Sequence, residues 1–300
     1  MCNFSKYSSR PESSLSTMSE NYQVAVLIAC HNRREKTLQC LQSLEAAIPN
    51  NWTIRIYLVD DGSDDGTSDA VNKLGLDIKI IQGPGDWFWA HSMYRAELSI
   101  DKPTDAILWI NDDVKLFQEA LMRVERVRQK NLDSILVGQL MDPTTKKRTY
   151  GGVNRIGRHP FYFEWILADN TEIQVDTFNG NFVLIPEQIS KRVGTIDGAF
   201  SHAYADFDYG LRAMKLGYSS IIIAGFLGTC PANYTVMERN LRERLNFLHS
   251  AKGLPLKSQV RYLRRHGPIE WPIYLIFPYI RAILGFALIE RRRSSSSTNK

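Results

Sequence analysis

Short apolar runs alternate with helix-like stretches along the first part of this 300-residue chain. The runs are four to six residues long, a length that suits buried strands. This βαβα rhythm predicts an α/β domain with a largely parallel central sheet and helices on both faces. The predicted strands are Val24–Ala29, Ile54–Val59, Ile78–Ile81 and Ala106–Ile110, and the predicted helices are Glu35–Ala47, Thr67–Leu74 and His91–Ile100.

The pattern is less regular beyond the fourth strand. A helical stretch at Gln118–Gln129 leads to an apolar run at Ile135–Val137, and the turn residues and aromatics of Met141–Asp176 indicate an irregular or hairpin region. Another apolar run, Phe182–Ile185, predicts a further strand. The spacing from Asp206 to Ala213 predicts a helix whose first turn carries two carboxylates, which the helix dipole favours.

Two acidic clusters follow predicted strands directly. They are Asp60-Asp61-Gly62-Ser63 and Asn111-Asp112-Asp113. In an open α/β sheet ligands bind outside the carboxyl ends of the strands, so carboxylates at two such ends are expected to meet in one crevice that attracts a cation. The alternative is that these residues only form turns and cap helices, for which their chemistry is equally suited.

The turn after the first strand lacks the usual device for binding phosphate. It reads Cys30-His31-Asn32-Arg33, with no glycine-rich loop. Mg²⁺ is normally bound by one or two carboxylates together with substrate phosphates. We therefore expect a divalent metal ion such as Mg²⁺ or Mn²⁺, held by Asp112 or Asp113, to neutralise a bound diphosphate.

Composition and charge narrow the class of protein. Hydrophobic residues make up 44% of the chain, which is enough for a sizeable core, and four cysteines without C-x-x-C spacing fit a reducing cytosol. The formal net charge is +5. From Glu238 to Lys300 there are 13 basic and 4 acidic residues, which leaves 24 basic and 28 acidic residues elsewhere, so the positive excess lies in the C-terminal part.

These features suggest a domain organisation. We expect a serine-rich disordered leader at 1–21, without the apolar region of a signal peptide, then a catalytic domain at 22–235. A helical, basic and apolar extension is expected at 236–293, followed by a disordered tail at 294–300.

The extension contains an apolar segment, 269–289, that is 21 residues long but is interrupted by Glu270, Arg281 and two prolines. Its aromatic residues and the arginines around it favour attachment to the surface of an anionic membrane. Packing on the domain or in a homodimer, and a true membrane span, are the alternatives. Nucleic acid is not an expected partner, because the basic residues flank an apolar stretch.

Four motifs in order resemble the family 2 inverting glycosyltransferases, which are nucleotide-sugar-dependent enzymes of the GT-A fold. The resemblance covers about Val24–Ala224. The motifs are a strand leading into a polar turn with Asn32, an Asp-Asp-Gly-Ser turn at 60–63, an acidic metal motif at Asp112–Asp113, and a late acidic position at Asp206. Each motif is weak alone, but their joint order and spacing are characteristic.

Three further stretches bear on the resemblance. The sequence Gly-Asp-Trp-Phe-Trp-Ala at 85–90 looks like the Gly-Asp-x-aromatic-Trp motif of a bacterial subgroup that acts on cell-surface glycans. The metal motif, Asn111-Asp112-Asp113, departs from the spaced Asp-x-Asp of the family. Ala205 stands where relatives often have Glu, which removes one source of a raised pKa on Asp206.

The resemblance implies roles for particular residues. Asp206 matches the catalytic base, Asp208 its structural partner, and Asp113 with Asp112 the metal ligands. The residues implied to bind the nucleotide sugar are Ala29, Cys30, Asn32, Asp60, Asp61, Trp89 and Asp112.

We therefore predict an inverting hexosyl- or deoxyhexosyltransferase. It would use a UDP- or dTDP-linked donor and a hydroxyl acceptor on a cell-surface polysaccharide or a lipid-linked glycan, and would lie in the cytoplasm on the inner face of the cell membrane. A base takes the acceptor proton while a cation stabilises the leaving diphosphate. The alternative is a non-catalytic nucleotide-sugar-binding protein of the same fold; a nucleotidyltransferase is excluded because its glycine-rich loop is missing.

Overall fold

The computed structural model describes residues 21–232, 240–250 and 253–284. The helices are α1 (Arg34–Ala47), α2 (Thr67–Asn72), α3 (Phe88–Leu98), α4 (Ala120–Lys130), α5 (Glu187–Val193), α6 (Ala205–Lys215), α7 (Leu241–His249) and α8 (Leu256–His266), with a 3-10 helix at Trp271–Leu275. The strands are β1 (Tyr22–Cys30), β2 (Trp52–Asp61), β3 (Ile78–Gly83), β4 (Ala106–Ile110), β5 (Lys115–Leu116), β6 (Ser134–Met141), β7 (Arg148–Tyr150), β8 (Gly152–Arg155), β9 (Phe163–Trp165), β10 (Ile173–Val175), β11 (Thr177–Phe178), β12 (Phe182–Pro186) and β13 (Ser219–Thr229).

The large sheet has the strand order β10-β13-β6-β12-β4-β1-β2-β3. The pairs β3-β2, β2-β1, β1-β4 and β6-β13 are parallel, whereas β12 is antiparallel to both β4 and β6, and β10 is antiparallel to β13. Six of these eight strands therefore run in one direction. The predicted α/β class with a largely parallel sheet is confirmed. The region predicted to be irregular or hairpin-like contains the short strands β7 to β10, and β11, β8 and β9 form a small second sheet.

Strand β1 lies in the interior of the sheet and is buried on both faces, which explains its unbroken apolar sequence. Val24, Val26 and Ile28 point to the core shared with α1, α2 and α4. Ala25 and Leu27 point to the opposite core, shared with α3, α5 and α6. Period-two alternation along one strand thus supplies both layers.

Helix α1 buries one face against the sheet because its apolar residues recur at helical spacing. Thr37, Cys40, Leu41, Leu44 and Ala47 are its buried positions. The sequence predicts this helix to within one residue at its start, and it predicts a core position for Cys40, which is 1% exposed.

Helix α8 packs on the domain, although it lies in the predicted extension. Tyr262 and Leu263 are fully buried, and Tyr262 belongs to the core that also contains α3 and α6. The hydroxyl of Tyr262 donates to the carbonyl of Pro160 at 3.0 Å. The predicted boundary at 235, residues 1–20 of the predicted leader and the predicted tail at 294–300 lie outside the described residues.

Beyond α8 the chain carries an apolar surface. Its exposed aliphatic residues are Ile269, Ile273, Ile276, Ile280, Ile283 and Leu284. Among the described residues, no helix is both long enough and apolar enough to cross a bilayer.

Candidate active site

A cavity of about 550 Å³ opens at the carboxyl ends of β1, β2 and β4, where the sequence predicts a ligand crevice. Seven of the nine predicted site residues line it: Ala29, Cys30, Asp61, Trp89, Asp112, Asp113 and Asp206. The wall also includes His31, Arg33, Gly85, Phe88, Ser92, Asn111, Tyr150, Asn179, Gly180, Asn181, His202, Ala203, Tyr204 and Phe207.

Two predicted site residues are not among the residues that line the cavity. Asn32, at a left-handed φ of 49°, accepts the N–H of Asp64 at 2.9 Å, and its own N–H donates to the Ser63 hydroxyl at 2.9 Å. Asp60 accepts the N–H of Ser63 at 3.0 Å and the hydroxyl of Ser68. Both side chains hold the turns after β1 and β2 together, as the turn interpretation of this cluster expects; their binding roles stay predictions.

Asp61 fixes one wall of the cavity. Its two carboxylate oxygens accept the backbone N–H groups of Gly85 at 2.8 Å and Phe88 at 3.0 Å. Phe88 has a φ of 55°, a strained conformation for a bulky residue, and its ring is 40% exposed at the cavity. The carboxylate therefore stabilises the loop that presents Phe88.

Trp89 both packs in the core and faces the cavity. Its ring meets Trp109 edge to face with centroids 6.1 Å apart, and its indole N–H donates to Oδ1 of Asn111 at 2.8 Å. Because the indole is held at both ends, Trp89 forms a rigid wall against which a flat ligand face can stack.

The carboxylates of Asp112 and Asp113 share one counter-ion. Nη1 of Arg33 lies 3.0 Å from Oδ1 of Asp112 and 3.0 Å from Oδ2 of Asp113. Burial raises the pKa of Asp112 to about 6; the charge of Arg33 opposes this rise and the charge of Asp113 adds to it. Two neighbouring buried carboxylates thus retain a net negative charge in spite of the arginine.

The pair fits a divalent cation that completes its coordination elsewhere. Among the described residues, Oδ2 of Asp112 has no hydrogen-bond partner although it is buried, and Oδ1 of Asp113 accepts only the weak donor Sγ of Cys230, at 3.2 Å. Carboxylate oxygens suit Mg²⁺ and Mn²⁺. Within the described ranges no group of three or more His, Cys, Asp or Glu side chains is placed to hold a metal alone, so such an ion would need ligands from a bound substrate.

Asp206 lies in the first turn of α6 and lines the same cavity. Its Oδ2 accepts the N–H of Gly180 at 3.0 Å, and its Oδ1 accepts the N–H of Phe207 at 2.9 Å. Burial raises the pKa of Asp206 to about 6, although these backbone bonds work in the opposite direction. An acidic neighbour at 205 is therefore not required to tune this carboxyl group towards neutrality.

Asp208 has a different environment from Asp206. It is fully buried, and it bonds Nε2 of His266 at 2.8 Å, Nη1 of Arg265 at 3.0 Å and Nε of Arg212 at 2.9 Å. Burial raises its pKa, but the hydrogen bond from His266 and the two arginines lower it further, to about 2. Asp208 joins α6 to α8 and does not line the cavity, as expected for a structural partner.

The sequence matches the model of "Glycosyl transferase family 2" over residues 25–191, which is more than half of the chain. The chain belongs to this family. It is therefore a glycosyltransferase. The cavity residues from Ala29 to Asn181 lie within the matched segment, whereas those from His202 to Phe207, Asp206 among them, lie beyond it. No curated protein sequence matches it.

Solved glycosyltransferases share the fold of this family 2 member. S. aureus TarS (1–349) is 13% identical with a TM-score of 0.55, covering 87% of this chain and 80% of its own. The mannosyltransferase PcManGT of Pyrobaculum calidifontis, in complex with GDP-Man and Mn²⁺, is 14% identical with a TM-score of 0.52, and the match covers 89% of this chain and 75% of PcManGT. GalNAc-T7 with UDP, GalNAc and Mn²⁺ is 11% identical with a TM-score of 0.64, and the match covers 85% of this chain and 50% of GalNAc-T7.

Sequence reasoning missed several residues of this glycosyltransferase cavity. Arg33 stands in the polar turn after the first predicted strand, and no motif assigns it a role. The segment Asn179–Asn181 precedes the predicted strand Phe182–Ile185, and no motif assigns it a role either. Its one recognisable signal is Gly180, since a glycine directly before a buried strand indicates close approach of another group.

Proposed function

We propose that this glycosyltransferase moves a hexosyl or deoxyhexosyl group from a UDP- or dTDP-linked donor to a hydroxyl acceptor, with inversion at the anomeric carbon. The observation that carries the proposal is that one cavity contains two different carboxylate sites. Asp112 and Asp113 form a pair that shares Arg33, whereas Asp206, with its pKa of about 6, is held on a different segment by the backbone N–H groups of Gly180 and Phe207.

The donor is proposed to bind between β1, β2 and the Asp112–Asp113 pair. The two carboxylates would hold Mg²⁺ or Mn²⁺, which supplies positive charge to the leaving diphosphate. Ala29 and Cys30 at the end of β1 would contact the base, together with Asp61, and Trp89 would border the sugar. Support for a divalent ion comes from two structural neighbours, whose complexes contain Mn²⁺.

Asp206 is proposed to act as the general base. A carboxyl group with a pKa of about 6 is largely ionised at neutral pH and is still basic enough to accept a proton from an attacking hydroxyl. The acceptor oxygen would bond to the anomeric carbon as the bond to the diphosphate oxygen breaks. Both oxygens of Asp61 are held by backbone N–H groups, so this carboxylate is not free to act as a covalent nucleophile. A one-step displacement, which inverts configuration, is therefore the simplest mechanism.

The acceptor is proposed to be a cell-surface polysaccharide precursor or a lipid-linked glycan at the inner face of the membrane. Support comes from the apolar surface of Ile269, Ile273, Ile276, Ile280, Ile283 and Leu284. Exposed basic residues of α8, including Lys257, Arg261 and Arg264, lie on the neighbouring segment. Apolar and basic residues side by side suit the surface of an anionic membrane.

The decisive experiment is a screen of nucleotide sugars for thermal stabilisation with Mn²⁺, followed by transfer assays with the best donor. A ligand at a hundred times its dissociation constant adds about 2.7 kcal/mol of stability, which is easily detected. NMR of the new glycosidic bond then gives its configuration. Retention of the donor's anomeric configuration would contradict the proposed mechanism.

A further inference from the structure

Arg33 reaches the carboxylate pair from the mouth of the cavity. Its Nη1 atom lies 3.0 Å from one oxygen of Asp112 and 3.0 Å from one of Asp113, so a single nitrogen bridges both groups. The arginine side chain is 37% exposed, whereas the two carboxylates are 5% and 4% exposed. The guanidinium can therefore leave the carboxylates without unpacking the core, while the carboxylates cannot follow it.

The charges at this point are incompletely balanced. Two carboxylates and one guanidinium leave a net charge of −1, and Oδ2 of Asp112 is buried with no hydrogen-bond partner in the part of the chain that the structure describes. Such an unpartnered buried oxygen is costly and favours a further cation or donor. A divalent ion on these oxygens would come next to the guanidinium, however, and the two cations would repel each other.

We propose that Arg33 is the resident counter-ion of the Asp112–Asp113 pair, that the metal ion displaces it when the donor binds, and that the displaced guanidinium then pairs with the donor diphosphate. This inference rests on the proposed function, because it requires a divalent ion at these carboxylates. Arg33 is suited to pair with the diphosphate, because it lines the same cavity and its planar guanidinium matches phosphate oxygens.

The exchange couples metal and diphosphate. Without the diphosphate, Mn²⁺ must displace Arg33 into water and binds weakly. With the diphosphate present, the guanidinium has an alternative anionic partner, so Mn²⁺ binds more tightly, and by thermodynamic linkage Mn²⁺ strengthens diphosphate binding by the same factor. Arg33 thereby prevents the empty enzyme from holding a metal ion firmly.

The test measures bound Mn²⁺ by electron paramagnetic resonance at pH 8, with Mn²⁺ alone and with UDP, dTDP or GDP. Arg33→Gln is compared with the wild type and with Arg34→Gln. Arg34 is a matched control because it is adjacent and 50% exposed, and within the described ranges its guanidinium pairs with Glu35 alone, at 3.6 Å. We expect Arg33→Gln to bind Mn²⁺ alone about tenfold more tightly than the other two proteins. The factor by which a nucleoside diphosphate strengthens Mn²⁺ binding should be smaller than in the wild type, and the part that remains comes from phosphate oxygens that complete the coordination of the ion.

Arg33→Lys provides a second variant, because it keeps the charge and is expected to restore weak binding of Mn²⁺ alone. Unchanged or weaker Mn²⁺ affinity in folded Arg33→Gln overturns the inference while leaving the metal site intact. The wild type gives an independent check that needs no variant. If none of the three nucleotides strengthens Mn²⁺ binding, the inference is also overturned. Absence of Mn²⁺ binding under every condition would overturn the metal assignment in the proposed function as well.

Discussion

The ring of Trp89 lies so close to Gly180 that a Cβ at position 180 would come within 2.5 Å of its Cζ2 atom. The N–H of the same glycine donates to Oδ2 of Asp206 at 3.0 Å. Because Gly180 has no side chain, Trp89 and the candidate base Asp206 can both lie against it.

Gly180→Ala is expected to displace Trp89 and to weaken donor binding, with a loss of about 1–3 kcal/mol in the free energy of unfolding from overpacking. Denaturant unfolding and donor titration measure the two effects. The double variant with Trp89→Ala is the control, because it removes the ring that the new methyl group meets. Additive effects of the two substitutions would contradict this close approach.

Asp206→Asn is expected to reduce turnover by roughly 10² to 10⁴ and to leave donor affinity nearly unchanged, because the amide keeps the shape but cannot accept the proton. Steady-state kinetics and calorimetry separate the two quantities. A fall in turnover of less than about tenfold, in a folded variant, would assign the base to another residue.

The pH dependence follows from the same carboxyl group. Its pKa in the folded protein is about 6, above the usual value for Asp, so the active ionised form is lost as the pH falls through 6. Asp112 titrates in the same range, and its protonation weakens metal binding. The logarithm of kcat/KM is therefore expected to fall below pH 6 with a slope between one and two, and flat activity down to pH 5 would contradict both assignments.

Asp113→Ala is expected to abolish metal-dependent donor binding, because one carboxylate is insufficient to hold the cation against the remaining guanidinium of Arg33. Calorimetry with donor and Mn²⁺ measures this, and a chelator should have the same effect on the wild type. Glu35→Ala, which removes an exposed carboxylate in the first turn of α1, is the control. Unchanged donor affinity in Asp113→Ala would refute the metal site.

Asp208→Asn is expected to lower the free energy of unfolding by about 3–5 kcal/mol, because it leaves Arg212, Arg265 and His266 without their buried carboxylate. Glu187→Gln is the matched control, since its pair with Lys191 is solvent-exposed and worth at most about 1 kcal/mol.

The lowered pKa of Asp208 gives this interaction a pH signature. Its stabilising effect is fully present above the unfolded pKa near 4 and is lost as the pH falls towards 2. The difference in unfolding free energy between wild type and Asp208→Asn should shrink over that interval. A constant difference would show that the ionised carboxylate is not what joins α6 to α8.

The double variant Ile273→Ser/Ile276→Ser is expected to reduce partitioning onto anionic liposomes by at least about tenfold, because the two side chains are 65% and 57% exposed and would lose their burial in lipid. Leu132→Ser/Leu216→Ser is the control, with exposures of 59% and 56% elsewhere on the surface. Flotation assays measure the effect, and salt should weaken binding. Equal flotation of both variants, or indifference to anionic lipid, would refute the membrane role.

The strands at the centre of the sheet were predictable because each is buried on both faces. The apolar run Ala106–Ile110 coincides with β4, and Val24–Ala29 falls within β1. The family and the positions of the acidic turns followed from the order of the motifs. The antiparallel direction of β12 did not, since a short buried strand has the same composition in either direction.

At the site, prediction from the sequence was limited by the unknown direction of the side chains. Asp60 and Asp61 are neighbours in one strand, so they necessarily point to opposite faces of the sheet, and only Asp61 reaches the cavity. The sequence gives no means of choosing between them without knowing the register. Arg33 shows the same limit, because its function depends on carboxylates that are about 80 residues away in sequence and adjacent only after folding.

The cavity wall is assembled from segments that run from Ala29 to Phe207. No fragment shorter than residues 29–207 contains all of it, so the site exists only after these segments have come together. A bound donor should for this reason protect amides throughout the central strands against hydrogen exchange, and not merely those in the loops it touches. Occupancy of the cavity thus reports on the integrity of the entire domain.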